Sequence, residues 1–350
     1  MKSSEGLYFP RLDHVRAIAA FLVFFWHFVH AWIPTSHVPA FFPVSILEEG
    51  HTGVALFMTL SGYLFAKITF GKSLDYKSFL YNRFVRLAPL LFCLFAYYAI
   101  FHRFTIGQFF HGFIVPTKWP GGGWTLTVEM HFYLAFPFML LLQARYGTRA
   151  LVACLLLSLA LRTGLWLWRG QVQVLSYFTI VGKIDQFLLG IIFYQVSKSA
   201  LYQRHTTALL AASVLGFMLV WHGFNLLGGF YHIPVYPSPS PLWIIIPTIE
   251  GLFFGSFIAS YDNLDVNVPE WINRPLAYVG EVSYSIYLLH FLIITDFLRP
   301  NLPAPADFAE ASLMAVAAFP LFVLLASLTY RLIEVPFFRF RTKYLTRPMA

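Results

Sequence analysis

The feature that most restricts the fold is a series of ten apolar stretches, each long enough to cross a lipid bilayer as a helix. A helix needs about 20 residues to span the hydrocarbon core. The bilayer offers no water to the backbone, so its polar groups must bond within the helix. We therefore predict an all-α polytopic membrane protein of about ten transmembrane helices around a central cavity that reaches both surfaces, with residues 1–350 as one domain. The predicted spans are 14–33, 52–69, 84–101, 125–143, 149–168, 174–197, 207–226, 242–261, 277–297 and 311–333.

Composition agrees with this class of protein. Of the residues, 58% are hydrophobic and only 11% are charged, which a soluble domain of this length would not tolerate. The net charge of +8 comes from basic residues in short segments between the apolar stretches, a pattern that encodes membrane orientation. We expect no nucleic-acid partner. Both cysteines, Cys93 and Cys154, lie inside apolar stretches, so the sequence predicts neither a disulfide framework nor a metal site.

Lysine and arginine are distributed unevenly between the two sides of the predicted bundle. With the N-terminus inside, the inner segments hold eighteen of them and the outer segments four. Cytoplasmic loops carry such an excess, so both termini are predicted to be cytoplasmic. The first apolar stretch has no clear small-residue cleavage site, which favours a retained helix over a signal peptide.

The first predicted helix, residues 12–30, is apolar except at its ends. Asp13 and Arg16 lie near its start, and His27 lies near its end. Arg16 and His27 are eleven residues apart, which is about three helical turns and about 16 Å, so the two side chains share one face. Charged groups at membrane depth are functional candidates. A snorkelling arginine and a histidine bound to a neighbouring carbonyl explain the same pattern.

Two arginines three residues apart, Arg83 and Arg86, begin the third apolar stretch on the predicted inner side. Residues at this spacing share a helix face, and two forked guanidinium groups suit a phosphate ligand. The alternative is that they anchor the helix to lipid headgroups.

Three titratable residues on different predicted helices lie at a similar depth near the outer side. Glu129 lies about 7 Å below the outer end of its helix, at 1.5 Å per residue, and His27 and His290 fall at comparable positions. Convergence of the three would create groups suited to catalysis. Each is equally consistent with a single group that is satisfied by its own neighbours.

Other polar or small residues are better explained by packing. Gly53, Ser61 and Gly62 follow helical spacing and predict close helix contact in lipid. Lys183 and Asp185 lie inside the sixth span, where ion pairs with other helices are the simplest explanation.

Seven motifs, in order, resemble the integral-membrane acyltransferase 3 family, and the resemblance covers residues 12–336. The motifs are LDHVRAIA, GVALFMTLSGY, RFVRLAP, WTLTVEMHFY, KIDQFLLG, SYSIYLLH and YRLIEVP. The family transfers acyl groups, usually acetyl, from cytoplasmic acyl-CoA to carbohydrate hydroxyls at the bacterial inner membrane, as in O-antigen or exopolysaccharide. The resemblance implies that Arg16 and His27 are an essential pair and that Arg83 and Arg86 form a cytoplasmic arginine motif.

The resemblance also sets further expectations. His14 stands where the family often has glycine. We expect a stand-alone form, without the fused extracytoplasmic domain of some members. Acetyl-CoA is expected as co-substrate, with no permanently bound cofactor. A carbohydrate or glycolipid acceptor and the lipid bilayer are the other expected partners.

Each candidate residue then has a hypothetical role. His27 is the general base towards the acceptor hydroxyl, and Arg83 and Arg86 hold the nucleotide while Arg16 marks the entrance to the bundle. Glu129 either orients His27 or binds the acceptor. The remaining candidates for substrate binding are Asp13, Trp124, Tyr133 and His290.

A transporter or flippase is the alternative function. Buried charges and broken helices suit a transporter, but the sequence lacks the inverted repeat that many transporters carry. A structural membrane subunit is a third possibility, which leaves the polar line from Arg16 to His27 unexplained. The acceptor, the acyl chain length, the oligomeric state and the choice between direct transfer and an acyl-histidine intermediate stay open.

Overall fold

The computed structural model describes residues 6–34, 41–231 and 235–346, so Lys2 and Arg347, both counted among the inner cations, lie outside the described residues. Within these ranges the chain is almost entirely helical. A two-stranded antiparallel sheet pairs β1 (Ser73–Leu74) with β2 (Leu345–Thr346). The helices are α1 Pro10–His30, α2 Ser45–Glu48, α3 Gly53–Thr69, α4 Tyr76–Phe101, α5 Ile106–Ile114, α6 Trp124–Tyr146, α7 Thr148–Arg169, α8 Gln173–Phe178, α9 Ile180–Val196, α10 Ala200–Arg204, α11 Thr206–Leu226, α12 Leu242–Asn263, α13 Glu270–Glu281, α14 Ser283–Leu292, α15 Arg299–Asn301 and α16 Phe308–Thr329.

Short irregular helices connect or extend these elements. They are 3₁₀ turns at Gly50–Thr52, Pro116–Lys118 and Val335–Phe340, and π-helical turns at Ile293–Leu298 and Tyr330–Glu334. In the part of the chain that the structure describes, eight helical stretches are long and apolar enough to cross a membrane. The bent pair 270–281 and 283–301, with an angle of 60° between its halves, makes a ninth. The expected all-α polytopic membrane fold is confirmed.

Contacts between helix ends define two opposite faces of the bundle. On one, the inner face, β1 after α3 pairs with β2 near the C-terminus, and Lys67 near the end of α3 pairs with Asp262 near the end of α12 at 2.6 Å. On the other, the outer face, His30 of α1 lies 3.2 Å from Glu48. Asn225 of α11 donates to Glu49 at 3.1 Å on the same face. Consecutive long helices therefore run in opposite directions between these two faces.

The pair α8 and α9 also extends between the two faces. At the start of α8, Gln173 donates to the carbonyl of Phe230 at 2.6 Å, on the outer face where α11 has ended. After α9, the hydroxyl of Tyr202 lies 2.9 Å from that of Ser260, near the inner end of α12. The pair crosses the bundle although α9 itself has only 17 residues. In the described residues, length and hydropathy thus support up to nine spans, and the ten predicted spans with their bounds stay a prediction.

Exposure identifies the surface that faces lipid. The outer helices α7 and α11 leave large apolar side chains open, including Leu157 at 70% and Leu219 at 64% exposure. Contiguous apolar surface of this extent suits hydrocarbon and not water. In contrast, about three quarters of α1 and α3 is buried, so these two helices form the centre of the bundle.

Glycines allow the central helices to approach closely. A Cβ atom on Gly62 of α3 would lie 2.1 Å from the carbonyl oxygen of Phe187 in α9, and one on Gly190 would lie 2.1 Å from that of Thr59. On Gly53 it would lie 2.6 Å from the carbonyl oxygen of Ala19 in α1. The packing role predicted for Gly53 and Gly62 is confirmed.

Buried charges between α7, α9 and α12 are paired, as the sequence predicts for Lys183 and Asp185. The guanidinium of Arg162 pairs with Asp185, and Lys183 lies 3.5 Å from Glu250. All four side chains are at most 1% exposed. Pairing of this kind is what charges at membrane depth require.

Replacing Gly62 by alanine is expected to lower the stability of the folded protein by about 1–3 kcal/mol, because the new methyl group meets backbone and not a movable side chain. Gly164→Ala in α7 is the matched control, since open space surrounds that position. Thermal unfolding in detergent, followed by size-exclusion fluorescence, measures both. Equal midpoints for the two variants would contradict the proposed tight crossing of α3 and α9.

The ten predicted spans and the excess of inner cations predict a defined orientation. Reporter fusions after Arg149 and Arg204 are expected to be cytoplasmic, and a fusion after Asn301 is expected to be periplasmic. A cytoplasmic reporter after Asn301 would show that the last two passes are wrongly assigned.

Candidate active site

A cavity of about 90 Å³ lies at the centre of the bundle, between α1, α3, α4, α6 and α14. Five of the residues singled out in the sequence line it: Arg16, Arg83, Arg86, Glu129 and Tyr133. We call it the arginine cavity. Ser61 and Phe57 of α3 and Tyr284 and Tyr287 of α14 contribute to the rest of its wall. The structure thus brings Arg16 of α1 together with Arg83 and Arg86 of α4, which follow it by 67 and 70 residues in the sequence.

Arg16 is held by Asp13, one turn earlier in α1. The two form an ion pair in which Asp13 is only 1% exposed. Helix α13 covers this pair closely, because a Cβ atom on Gly280 would overlap the carbonyl oxygen of Asp13. The structure therefore gives Asp13, a candidate for substrate binding, the role of fixing and neutralising Arg16.

Arg83 and Arg86 differ from Arg16 in having no close counter-ion. Among the described residues, no carboxylate oxygen lies within 4.0 Å of either guanidinium. Arg83 instead lies over aromatic rings, 5.1 Å from the ring centre of Phe65 and 5.9 Å from that of Tyr133. Its Nε is buried without a hydrogen-bond partner. Such a pair of cations is suited to an anionic ligand.

Glu129 belongs to the arginine cavity. Its carboxylate accepts a hydrogen bond from the hydroxyl of Tyr133, one turn later in α6. The hydrogen-bond partner of Glu129 is thus Tyr133 and not His27, although the sequence predicts Glu129 and His27 at a similar depth. Tyr133 is buried, and its ring lies beside Arg83, so the structure places it with the arginines and not at the outer face.

His27 and His290 form a pair near the outer half of the bundle. The Nδ1 atom of His27 lies 3.2 Å from Nε2 of His290 and 2.9 Å from the carbonyl oxygen of Val23. The Nδ1 atom of His290 lies 2.6 Å from the carbonyl oxygen of Tyr287. The predicted convergence of two of the three titratable groups is therefore present in the structure.

The carbonyl contacts decide where the protons of this pair lie. A carbonyl oxygen only accepts, so Nδ1 of each histidine carries its proton in the neutral ring. Nε2 of His290 then accepts from His27, and Nε2 of His27 keeps a free lone pair. A nitrogen held in this state is what a general base requires.

Tyr287 connects the histidine pair to the arginine cavity. It lines the cavity, and its ring centre lies 5.6 Å from that of His290. Its hydroxyl donates to the carbonyl of Gly122 at 3.0 Å and accepts from Thr125 at 2.8 Å. Gly122 has a φ of 77°, a conformation that favours glycine. One glycine of the triple-glycine segment before α6 therefore has a structural role, because its carbonyl group accepts the hydrogen bond from Tyr287.

Trp124 lies in an aromatic cluster and not in the arginine cavity. It is 8% exposed, and its ring packs 5.0 Å from the ring centres of both Tyr177 and Phe178. His131, two residues after Glu129, points elsewhere as expected and bonds the carbonyl oxygen of Phe113 at 3.0 Å.

A second polar group beside His27 was missed in the sequence. The ring of Trp26 lies 5.0 Å from that of His30 and 5.6 Å from that of His51, and His51 lies 2.8 Å from Glu49. The ring centre of Trp26 lies 4.8 Å from that of His27, so this group adjoins the histidine pair. The sequence signal for this group is the pair of adjacent acidic residues at 48 and 49, which lies just before an apolar stretch.

Comparison with known proteins gives a consistent result. A family model described as an acyltransferase domain matches residues 9–331. The chain is 25% identical over 388 residues to the peptidoglycan O-acetyltransferase OatA of Listeria monocytogenes serovar 1/2a, covering 94% of this chain and 56% of that protein. It is 24% identical over 366 residues to a Komagataeibacter xylinus protein named "Putative membrane-bound transacylase BcsY", covering 94% and 84%.

The O-acetyltransferase OatA of Staphylococcus aureus (strain NCTC 8325 / PS 47) is 25% identical over 386 residues, covering 94% of this chain and 57% of that protein. The chain therefore spans little more than half the length of these two O-acetyltransferases and most of the transacylase. No solved structure matches the chain significantly.

Proposed function

Because this chain belongs to the acyltransferase 3 family, we propose that it transfers an acyl group, most often acetyl, from cytoplasmic acyl-CoA to a hydroxyl of an exported carbohydrate. The single observation that carries the proposal is the arrangement along α1. The arginine cavity, in which Arg83 and Arg86 have no close counter-ion, lies beside the inner part of α1. His27, with a free lone pair on Nε2, lies near the outer end of the same helix. The bacterial inner membrane is the proposed location, since it separates the cytoplasmic donor from an exported acceptor.

The donor is proposed to enter from the inner face. Arg83 and Arg86 lie about 10 and 15 Å along α4 from its start, at 1.5 Å per residue, and their side chains reach the cavity. There the guanidinium groups bind the phosphates of CoA, which remain at the cytoplasmic side. The uncharged pantetheine arm with its thioester extends past Arg16 towards the outer half of α1.

His27 is proposed to act as the general base through Nε2. This atom takes the proton from the acceptor hydroxyl, and the oxygen attacks the thioester carbonyl carbon. The carbon–sulfur bond then breaks, CoA leaves as the thiolate, and the thiolate takes up the proton. In the two-step alternative the same atom attacks the carbonyl first and forms an acyl-histidine. Both routes need the lone pair that the histidine pair preserves.

His290 is proposed as the positioning residue for His27. Its own Nδ1 is fixed by the carbonyl of Tyr287, so its Nε2 faces His27 as an acceptor. That contact holds the ring of His27 in the tautomer whose Nε2 is free. Glu129 is proposed to act with the cavity arginines, because its bond to Tyr133 keeps a negative charge beside them.

The acceptor is proposed to be a cell-surface glycan. The relatives named as O-acetyltransferases and the one named as a transacylase support this class. Trp26 and the acidic residues at the outer end of α1 suit a polyhydroxylated ligand, because aromatic rings and carboxylates are both able to bind sugars.

The second candidate function is transport or flipping of a glycan. The observation in its favour is the break between α13 and α14, since broken helices line the binding sites of transporters. Consumption of acetyl-CoA by the purified protein, with and without a glycan lipid, separates the two functions. Acceptor-dependent release of free CoA supports the enzyme, and translocation without thioester cleavage supports the transporter.

Replacing Arg86 by alanine is expected to raise KM for acetyl-CoA about ten-fold or more, since a charge-assisted hydrogen bond contributes about 1.5–3 kcal/mol. The KM for the acceptor is expected to change little. Lysine at this position restores part of the affinity, because it keeps the charge but lacks the fork. Lys77→Ala, an exposed cation at the start of the same helix, is the control. Unchanged donor affinity in Arg86→Ala would assign this arginine to the lipid interface.

Replacing His27 by alanine is expected to reduce turnover by about 10²–10⁴-fold, the usual effect of removing a positioned base. Binding of CoA is expected to persist, because the imidazole acts on the acceptor proton and not on the nucleotide. His131→Ala removes an imidazole bound to a carbonyl on another face of the bundle and serves as the control. Near-normal turnover in His27→Ala would overturn the proposed base and leave His290 as the next candidate.

A further inference from the structure

The segment that follows α16 returns to the inner face and docks beside Arg83. We call residues 341–346 the C-terminal strap. Asn82, adjacent to Arg83, makes two hydrogen bonds with the backbone of Thr342, at 2.5 and 2.9 Å. The backbone N–H of Asp75 donates to the carbonyl of Tyr344 at 2.8 Å. The pairing of β1 with β2 completes this attachment.

The side chain of Tyr344 closes the gap between the strap and α4. It is 1% exposed, its ring centre lies 5.6 Å from that of Phe79, and the guanidinium of Arg83 lies 5.9 Å from it. The strap is therefore a fixed part of the wall around Arg83, because its backbone and its aromatic side chain are both held by α4 and the chain before it.

The first residue of the strap, Arg341, adds a third guanidinium to this region. Its Cζ stacks 3.5 Å from the ring centre of Phe338, which fixes its plane. Its Nη2 is buried without a hydrogen-bond partner, as is Nε of Arg83. The pKa of Arg341 is lowered, first by burial and then by the positive charges of Arg86 and Arg83. These three cations are thus close enough to repel one another.

The carboxylates of Glu129 and Glu334 act on Arg86, and Glu334 acts on Arg341, so they offset part of the positive charge of this group without a close ion pair. Glu129 accepts from Tyr133, and Glu334 accepts from Ser285. Among the described residues, no carboxylate lies within 4.0 Å of Arg341. The other buried cations are matched, as Arg16 is by Asp13 and Arg162 by Asp185. Three guanidinium groups beside two carboxylates keep an excess of positive charge, which a bound anion would offset.

We propose that Arg341, carried by the C-terminal strap, completes with Arg83 and Arg86 a three-guanidinium site for the phosphate groups of the nucleotide thioester donor. The inference rests on the proposed function, which supplies the donor. CoA carries a diphosphate and a 3′-phosphate, so its anionic part offers more oxygens than two arginines bind. A guanidinium with an unused, oriented N–H matches such an oxygen. The strap thereby contributes to the choice of a full nucleotide donor over a shorter thioester.

The test uses the purified full-length protein in nanodiscs with three donors: acetyl-CoA, acetyl-dephospho-CoA and S-acetylpantetheine. Arg341→Gln is expected to raise KM for acetyl-CoA about ten-fold, with kcat nearly unchanged. For S-acetylpantetheine, which has no nucleotide phosphates, the variant and the wild type are expected to have the same KM. Arg341→Lys is expected to recover part of the affinity and confirms that the fold is intact.

Arg339→Gln and Lys343→Gln are the matched controls, because both remove one exposed positive charge within two residues of Arg341. Their KM for acetyl-CoA is expected to stay within two-fold of the wild type. Equal CoA affinity in Arg341→Gln and the wild type overturns the inference and leaves the proposed function intact. Loss of co-purified anionic lipid with unchanged CoA affinity overturns it as well and assigns Arg341 to lipid headgroups. A wild type that binds no CoA overturns the proposed donor, and the inference with it.

Discussion

The structure depends on one electrostatic constraint: a charged side chain inside an apolar bundle must find its counter-charge within the protein, because lipid supplies none. Arg162 and Asp185 satisfy it between α7 and α9, as do Lys183 and Glu250 between α9 and α12. These two pairs join three helices, and in each pair the positive and negative charges neutralise each other. Their complete burial and mutual pairing explain them as structural. Among the described residues, Arg83, Arg86 and Arg341 form no such close ion pair, and this difference supports the proposed anion site.

Close helix packing places these charges. Helices in lipid gain no hydrophobic driving force against each other, so small residues at the crossing determine how near they approach. Gly62 and Gly190 bring α3 against α9, and Gly280 brings α13 against the start of α1. Arg16 and Asp13 are fixed at the last of these contacts. The same packing buries α1 along its length, so His27 contacts protein groups and not lipid.

Much of the fold was predictable because its signals are local. The length of the apolar stretches predicted the all-α membrane bundle, and the spacing of Gly53 and Gly62 predicted a close helix crossing. A break separates α8 from α9, but hydropathy averaged over the window 174–197 does not show it. The sequence therefore predicted one continuous helix in this region. The position of Lys183 and Asp185 inside a predicted span indicated ion pairs. Their partners Glu250 and Arg162 come from distant segments, so the sequence did not identify them.

The site was only partly predictable, because depth along a helix does not determine the direction of a side chain. His27 and His290 converge as their depth suggested, whereas Glu129 turns towards Tyr133 and the arginines. Trp124 and Tyr133 lie on one helix, yet one packs in an aromatic cluster and the other lines the cavity. Arg341 had no sequence signal beyond a count of inner cations. Its position depends on pairing between residues 82 and 342, which are 260 apart in the chain.

The separation of the two sites suggests how the proposed reaction keeps its substrates apart. The residues that line the arginine cavity do not include His27 or His290 in the described chain. The cavity wall includes the ring of Tyr287, which lies 5.6 Å from that of His290, and the ring of Phe57, which lies 6.2 Å from that of Tyr287. A phosphate would lose its solvation on passing such an aromatic wall, whereas an uncharged thioester arm loses little. The proposed division of the donor follows from this difference. In the proposed reaction, the nucleotide stays with the arginines, the acyl end reaches His27, and the polar acceptor approaches from the outer face without entering the cavity.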